Sequence, residues 1–154
     1  MTLYLLAFLI GVVAGLRTMT APAAVSWAAH LGWLPLAGMP LAFLGSGITA
    51  WVLIIMAIGE LVVDQLPGTP SRKVPMQFGA RLLSGGLAGA AIGAAGGIMA
   101  LGVVIGVLGA VAGTLGGAAA RARMARSFGR DRPAALIEDA VAIGGAVLIV
   151  LAIP

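Results

Sequence analysis

Apolar positions along the chain gather into long runs separated by prolines, glycines and a few charges. A helix that crosses a bilayer needs about 20 mostly apolar residues, and this pattern predicts five. The first run, Leu3 to Ala29, is interrupted by Gly15, Arg17 and Pro22. It leads into an uncharged loop, His30 to Pro40, whose Gly32, Pro35, Gly38 and Pro40 preclude a continuous helix. The second, Leu41 to Leu66, stops at Pro67 and is followed by the basic turn PGTPSRKVP with Arg72 and Lys73. From Met76 to Ala120 there is neither an acid nor a proline, and Arg81 is the one charge. That length exceeds a single span and predicts two helices joined near Gly96 and Gly97. A second basic stretch, RARMARSFGRDRP, precedes the last run, Ala134 to Ile153. The expected fold is all-α, a polytopic transmembrane helix bundle of about five spans forming one domain over residues 1–154.

Composition sharpens this reading. Of the 154 residues, 61% are hydrophobic and 9% charged, against roughly 25% charged in ordinary soluble domains, and the mean hydropathy is +1.13. The first run lacks a basic leading region and a small-residue cleavage site, so it reads as a retained span and not a signal peptide. The absence of cysteine excludes disulfides, thiolate catalysis and Cys-ligated metals. One histidine, without a matching carboxylate spacing, argues against zinc or di-iron, so no metal or cofactor is expected. The net charge of +4 is nearly all arginine. In a membrane chain that reports orientation, not nucleic-acid binding.

With five spans, the loops after the second and fourth runs fall on one side, and these carry the basic residues. By the positive-inside rule the N-terminus and both basic loops are expected in the cytoplasm, and the C-terminus outside. Trp27, Trp33 and Trp51 cluster near the uncharged loop, where an aromatic belt belongs. The order two helices, one helix, two helices places the second pair in the opposite sense to the first. GVVAG at Gly11 to Gly15 recurs as GAVAG at Gly109 to Gly113, and each pair ends in a helix with two carboxylates. This is compatible with inverted two-helix repeats around a central glycine-rich helix, a recurrent transporter design. Chance similarity between glycine-rich membrane helices explains it equally.

Gly85, Gly89, Gly93 and Gly97 recur every fourth residue, as do Gly109, Gly113 and Gly117, with Gly102 and Gly106 between. Such smooth stripes let helix backbones approach closely, within a subunit or across a dimer; pore lining is the alternative. Neither glycine run carries a Walker lysine, which removes nucleotide binding.

Arg17 lies deep in the first run, in GLRTMTAP. A charge at the bilayer centre costs about 2.5–3.5 kcal/mol on insertion scales, so this position calls for a partner. With Thr18, Thr20 and Pro22 it predicts a broken or kinked helix with inward polar groups. Arg17 is then either a ligand for an anion or headgroup at a half-helix end, or one side of a salt bridge to another span. Glu60 and Asp64 stand one turn apart toward the cytoplasmic end of the second run, and Glu138 and Asp139 at the start of the fifth. Arg81, Arg121 and Arg123 are predicted at a similar depth. These groups form either interfacial ion pairs that fix register or a vestibule where a carboxylate binds a cation or proton and an arginine holds an anion. The vestibule reading suits Glu60 and Asp64; the ion-pair reading suits Asp139. Arg126, Arg130 and Arg132 are expected on the surface against anionic lipid. His30 reads as interfacial. Ser26, Ser46 and Ser84 have no His–Asp partners placed for a triad, so enzyme activity is not expected.

GVVAGLRTMTAPAAVSWAAHLGWL, GELVVDQLPGTPSRKVP and RDRPAALIEDAVAIGGAVLIVLAIP resemble segments of a bacterial membrane family known as domain of unknown function 4126. The correspondence is with its glycine-rich first helix and polar break, its E-x-x-x-D-x-x-P-G segment and its closing Glu-Asp helix. On that resemblance Glu60, Asp64, Pro67, Gly68, Pro133, Glu138 and Asp139 occupy motif positions, while Gln65 stands where a lysine is common. It implies a multi-span inner-membrane protein and no particular activity. The functional expectation is a transporter or channel for a small ion or solute, with a polar site of Arg17, Glu60, Asp64, Arg81, Arg121, Glu138 and Asp139. Its expected partners are membrane lipids, the small ion or solute and a second copy in a homodimer or small homo-oligomer. The alternative is a lipid-binding or scaffolding protein whose buried charges are structural.

Overall fold

The computed structural model describes residues 1–64 and 74–154. Among them are six α-helices: α1 (Thr2–Leu16), α2 (Thr20–His30), α3 (Gly47–Val63), α4 (Pro75–Ala95), α5 (Met99–Phe128) and α6 (Asp131–Leu151). A 3-10 turn, Ala42–Gly45, precedes α3. Helices α4, α5 and α6 are long and apolar enough to cross a membrane, and α1 and α3 are shorter apolar helices. The turn segment with Pro67, Gly68, Arg72 and Lys73 lies outside the described residues.

The glycine stripes explain how α1, α4 and α5 assemble. Where Gly97 adopts φ 71°, the left-handed conformation open to glycine, the long run folds back as an α4–α5 hairpin. A Cβ at Gly85 would come within 2.8 Å of the Gly106 carbonyl oxygen, and one at Gly93 within 2.8 Å of that of Ile98. On the neighbouring face of α5, Gly109 and Gly113 meet the backbone of Phe8 and Val12, while Gly11 and Gly15 of α1 meet Gly106 and Ala110. Close backbone approach therefore holds α5 against two helices of the same chain.

The first apolar run is two antiparallel helices and not one span. Leu3 lies against Gly96, and Met1, Ile98 and Pro154 border the same recess, so α1 starts at the level of the α4–α5 turn. It descends fifteen residues, about 22 Å at 1.5 Å per residue, to Arg17. The chain then reverses. Ser84 of α4 bonds to Thr18, and Ala21, Val25 and Ala28 share the core with Ala88, Ala91 and Ile92. Helix α2 thus climbs back alongside α4, and His30 reaches the carbonyl of Gly45 at the level where α3 begins. Run length alone could not show this reversal, because a re-entrant pair and a kinked span contain the same number of apolar residues.

Two expectations change as a result. Met1 and Pro154 lie at one end of the bundle, which overturns the placement of the termini on opposite sides. Helices α1 and α5 run parallel, with GVVAG and GAVAG packed on each other, so these segments are not related by inversion. The 30 residues of α5 extend about 45 Å, beyond the roughly 30 Å of bilayer hydrocarbon. Its last turns carry the exposed Arg123 and Arg126 away from the termini. Helix α3 is seated differently from the rest: it packs on α2 and the 3-10 turn, and Ala50 is its one buried residue.

Candidate functional site

The polar site is built on the α1–α2 reversal. Helix α1 ends where Arg17 becomes extended (φ −139°, ψ 117°), and α2 starts at Thr20, with Pro22 in its first turn where no intrahelical N–H is required. A helix end leaves carbonyls or N–H groups without helical partners, and where such groups are buried they need other partners. Side chains supply them. Arg81 Nη1 donates to the carbonyls of Gly15 (2.9 Å) and Leu16 (2.8 Å), and the Thr114 hydroxyl, which donates to the Ala110 carbonyl at 2.8 Å, also lies 3.3 Å from the Gly15 carbonyl. Ser84 Oγ donates to the Thr18 carbonyl. At the start of α2, the N–H groups of Thr18 and Met19 donate to Glu60 Oε1 (2.7 Å) and Oε2 (2.8 Å). A cation sits at the C-terminus of α1 and an anion at the N-terminus of α2, the arrangement the two helix dipoles favour. Arg81 Nη2 and Glu60 Oε1, 3.9 Å apart, link the two ends.

Arg17 itself is fully buried. Its Nε donates to Asp139 Oδ1 (2.6 Å) on α6, its Nη2 also meets that oxygen, and its Nη1 pairs with Asp64 Oδ2 at the end of α3. Both carboxylates retain part of their surface, 17% for Asp64 and 13% for Asp139, whereas the arginine has none. A second cluster lies beyond. Arg121 reaches Asp131 through Nε (2.9 Å) and Nη2 (2.5 Å), a bidentate pair across the α5–α6 turn, and reaches Glu138 Oε2 through Nη1 at 3.4 Å. Glu138 is buried. Adjacent on α6, Glu138 and Asp139 therefore serve different arginines, and all five acidic residues of the chain pair with Arg17, Arg81 or Arg121 or cap the reversal.

No family model, curated protein or solved structure matches this chain. The reading of the site therefore rests on its own geometry.

All seven residues expected from the sequence fall in these two clusters. Asp139, expected in an interfacial pair, is instead on the buried Arg17. Asp131, Ser84, Thr114 and the backbone of the reversal were not anticipated. Ser84 stands three residues after Arg81 on the same helix face, a signal that was readable; Asp131 needed the α5–α6 hairpin to bring it to Arg121. Arg123, Arg126, Arg130 and Arg132 are exposed. His30 packs edge-on against Trp27 (5.6 Å between centroids) at the opposite end. Ser26 donates to the Leu44 carbonyl at 2.6 Å. Among the described residues no group of histidines and carboxylates is placed to hold a metal ion. The arrangement is suited to binding and electrostatic selection: helix ends with fixed dipoles, sealed arginines and partly open carboxylates.

Proposed function

We propose that this is a multi-pass protein of the bacterial inner membrane that binds a small ion or solute at the α1–α2 reversal and passes it across the bilayer. Helices α3 to α6 cross, and α1 and α2 form a re-entrant pair. The basic end, with Arg123, Arg126, Arg130 and Arg132, faces the cytoplasm by the positive-inside rule, and both termini face the periplasm. The observation that carries the reading is the set of broken helix ends and paired charges about 22 Å from the N-terminal end of α1. Irregular backbone at such depth is tolerated where it lines a cavity or is enclosed in protein, and discontinuous helices of this kind form ion and substrate sites in transporters. The apolar and nearly bare outer face of α3 favours a homodimer. The resemblance to domain of unknown function 4126 fits this location and adds no substrate.

A second reading is favoured by one specific observation: the charged groups also satisfy the backbone of the reversal. In that case they hold the fold and carry nothing. Flux of Na⁺, K⁺, H⁺ and Cl⁻ into proteoliposomes separates the two. On the transport reading the native protein supports flux of at least one of these ions, and folded Arg17→Gln and Glu60→Gln proteins lose it. If the native protein and both variants match empty liposomes, the structural reading stands.

A further inference from the structure

The side-chain carboxylates of this chain are all committed. There are five of them against nine lysines and arginines, and Arg17, Arg81 and Arg121 engage every one. Among the described residues the cations left without a carboxylate are Arg123, Arg126, Arg130 and Arg132, all exposed and all on the α5–α6 hairpin. Helix energetics account for Arg126, in the last turn of α5, where the dipole favours a cation. They do not account for the pair on α6. Arg130 stands at its N-cap and Arg132 in its first turn, the end where the dipole disfavours positive charge, and the acid of that turn, Asp131, is held by Arg121. Four positive groups gathered against their own repulsion call for negative charge from outside the chain.

Depth decides what supplies it. From Met99 helix α5 advances about 36 Å to Arg123 and about 40 Å to Arg126, at 1.5 Å per residue. Bilayer hydrocarbon is about 30 Å thick, and the two headgroup layers bring the total to about 40–45 Å. With the α4–α5 turn at one face of the hydrocarbon, both arginines therefore lie at or just beyond the opposite headgroup layer. The Cα–Cβ bonds of a helix tilt toward its N-terminus, which turns these two side chains back toward the membrane. Helix α6 approaches the same layer from the other side: Arg132 is about 28 Å from Leu151, at the hydrocarbon edge, and its Cα–Cβ bond tilts outward. Arg123 and Arg126 share one face of α5, and that face continues through the exposed Ala112, Leu115 and Ala119, apolar surface for acyl chains. We infer that the α5–α6 hairpin binds anionic phospholipid, with lipid phosphate pairing with Arg123, Arg126, Arg130 and Arg132 in the headgroup layer. This depends on α5 crossing the bilayer and not on the reversal being a transport site.

The test attaches a fluorophore through Ser127→Cys, between Arg126 and Arg130, or through Ala100→Cys at the other end of α5; both positions are exposed and the chain has no cysteine of its own. The full chain is held in phosphatidylcholine nanodiscs, and quenching is followed as nitroxide-bearing phosphatidylglycerol or phosphatidylcholine replaces the unlabelled lipid. Phosphatidylglycerol should half-quench the label at position 127 at a mole fraction at least about fivefold lower than phosphatidylcholine, the equivalent of one arginine against an anionic headgroup. The two lipids should act equally on the label at position 100. At about 1 M NaCl, where the Debye length falls to about 3 Å, the preference should shrink. Replacing all four arginines by glutamine should abolish it, and replacing them by lysine, which keeps the charge, should retain it. Arg126→Gln alone should lower it by about fivefold and remains readable if the fourfold variant does not fold. Equal quenching by the two lipids at position 127 overturns the proposal; if added RNA then shifts the emission of that label, the patch belongs to a soluble polyanion. The same preference at position 100 also overturns it, as does a preference that survives undiminished in the glutamine variants.

Discussion

Replacing Glu60 by alanine tests whether the reversal is held as described. The carboxylate accepts the N–H groups of Thr18 and Met19 at 2.7 and 2.8 Å and faces Arg81. Alanine leaves two buried donors without an acceptor, at about 1–3 kcal/mol each, so the loss is about 2–6 kcal/mol. Glutamine keeps one acceptor oxygen but turns an amide NH₂ toward the other donor, and should lose about half as much. Ordinary side-chain hydrogen bonds between membrane helices average only about 0.6 kcal/mol; the larger figure follows from a charged acceptor serving backbone donors that have no helical alternative. Unfolding in mixed micelles with increasing dodecyl sulfate, followed by far-ultraviolet circular dichroism, measures the difference. An alanine variant within about 0.6 kcal/mol of the native protein would refute the capping role of Glu60.

Arg81→Gln should lose about 1–3 kcal/mol in the same assay, since it withdraws the donor shared by the Gly15 and Leu16 carbonyls. Gly106→Ala places a methyl against the backbone of Gly85 and Gly89 and should destabilise by about 1–3 kcal/mol. Gly116→Ala, which meets open space, should stay within about 0.5 kcal/mol of the native protein, and equal effects of the two would dismiss the glycine seam. The chain has no cysteine, so single cysteines report topology cleanly: Thr2→Cys and Ala152→Cys should react with an impermeant maleimide from one side of the membrane and Ser127→Cys from the other. Labelling of Thr2→Cys and Ser127→Cys from the same side would contradict the re-entrant pair.

Much of the fold was readable because periodic features report local and pairwise structure. The α4–α5 join at Gly96 and Gly97 followed from excess run length, and the close helix seam from four-residue glycine spacing; both are observed. The break at Arg17 was also readable, since a charge followed by two threonines and a proline makes a poor continuous membrane helix. Its direction was not. Whether the chain bends or returns depends on which helices Thr18 and Ser26 meet, and those contacts, to Glu60, Ser84 and Leu44, span separations that no local pattern encodes. The carboxylates were identified by their rarity in apolar sequence, but their assignment among arginines required α6 to present Glu138 and Asp139 to different neighbours.

The charges near the reversal divide into two groups with different expected effects. Glu60 and Arg81 replace backbone partners that the broken helix lost, so their removal acts on the fold. Asp64 and Asp139 instead face Arg17, and each backs up the other as its counter-ion. A fully buried arginine stripped of both carboxylates is an uncompensated buried charge, and breaking such a pair costs about 3–5 kcal/mol. With either Asp64→Asn or Asp139→Asn alone, one carboxylate still neutralises Arg17, and the loss should be well below that figure. The double substitution should therefore exceed the sum of the singles, the non-additivity expected of groups in one network. Unfolding free energies of the two single variants and the double variant measure it. Simple additivity would mean that Arg17 does not share its charge between α3 and α6.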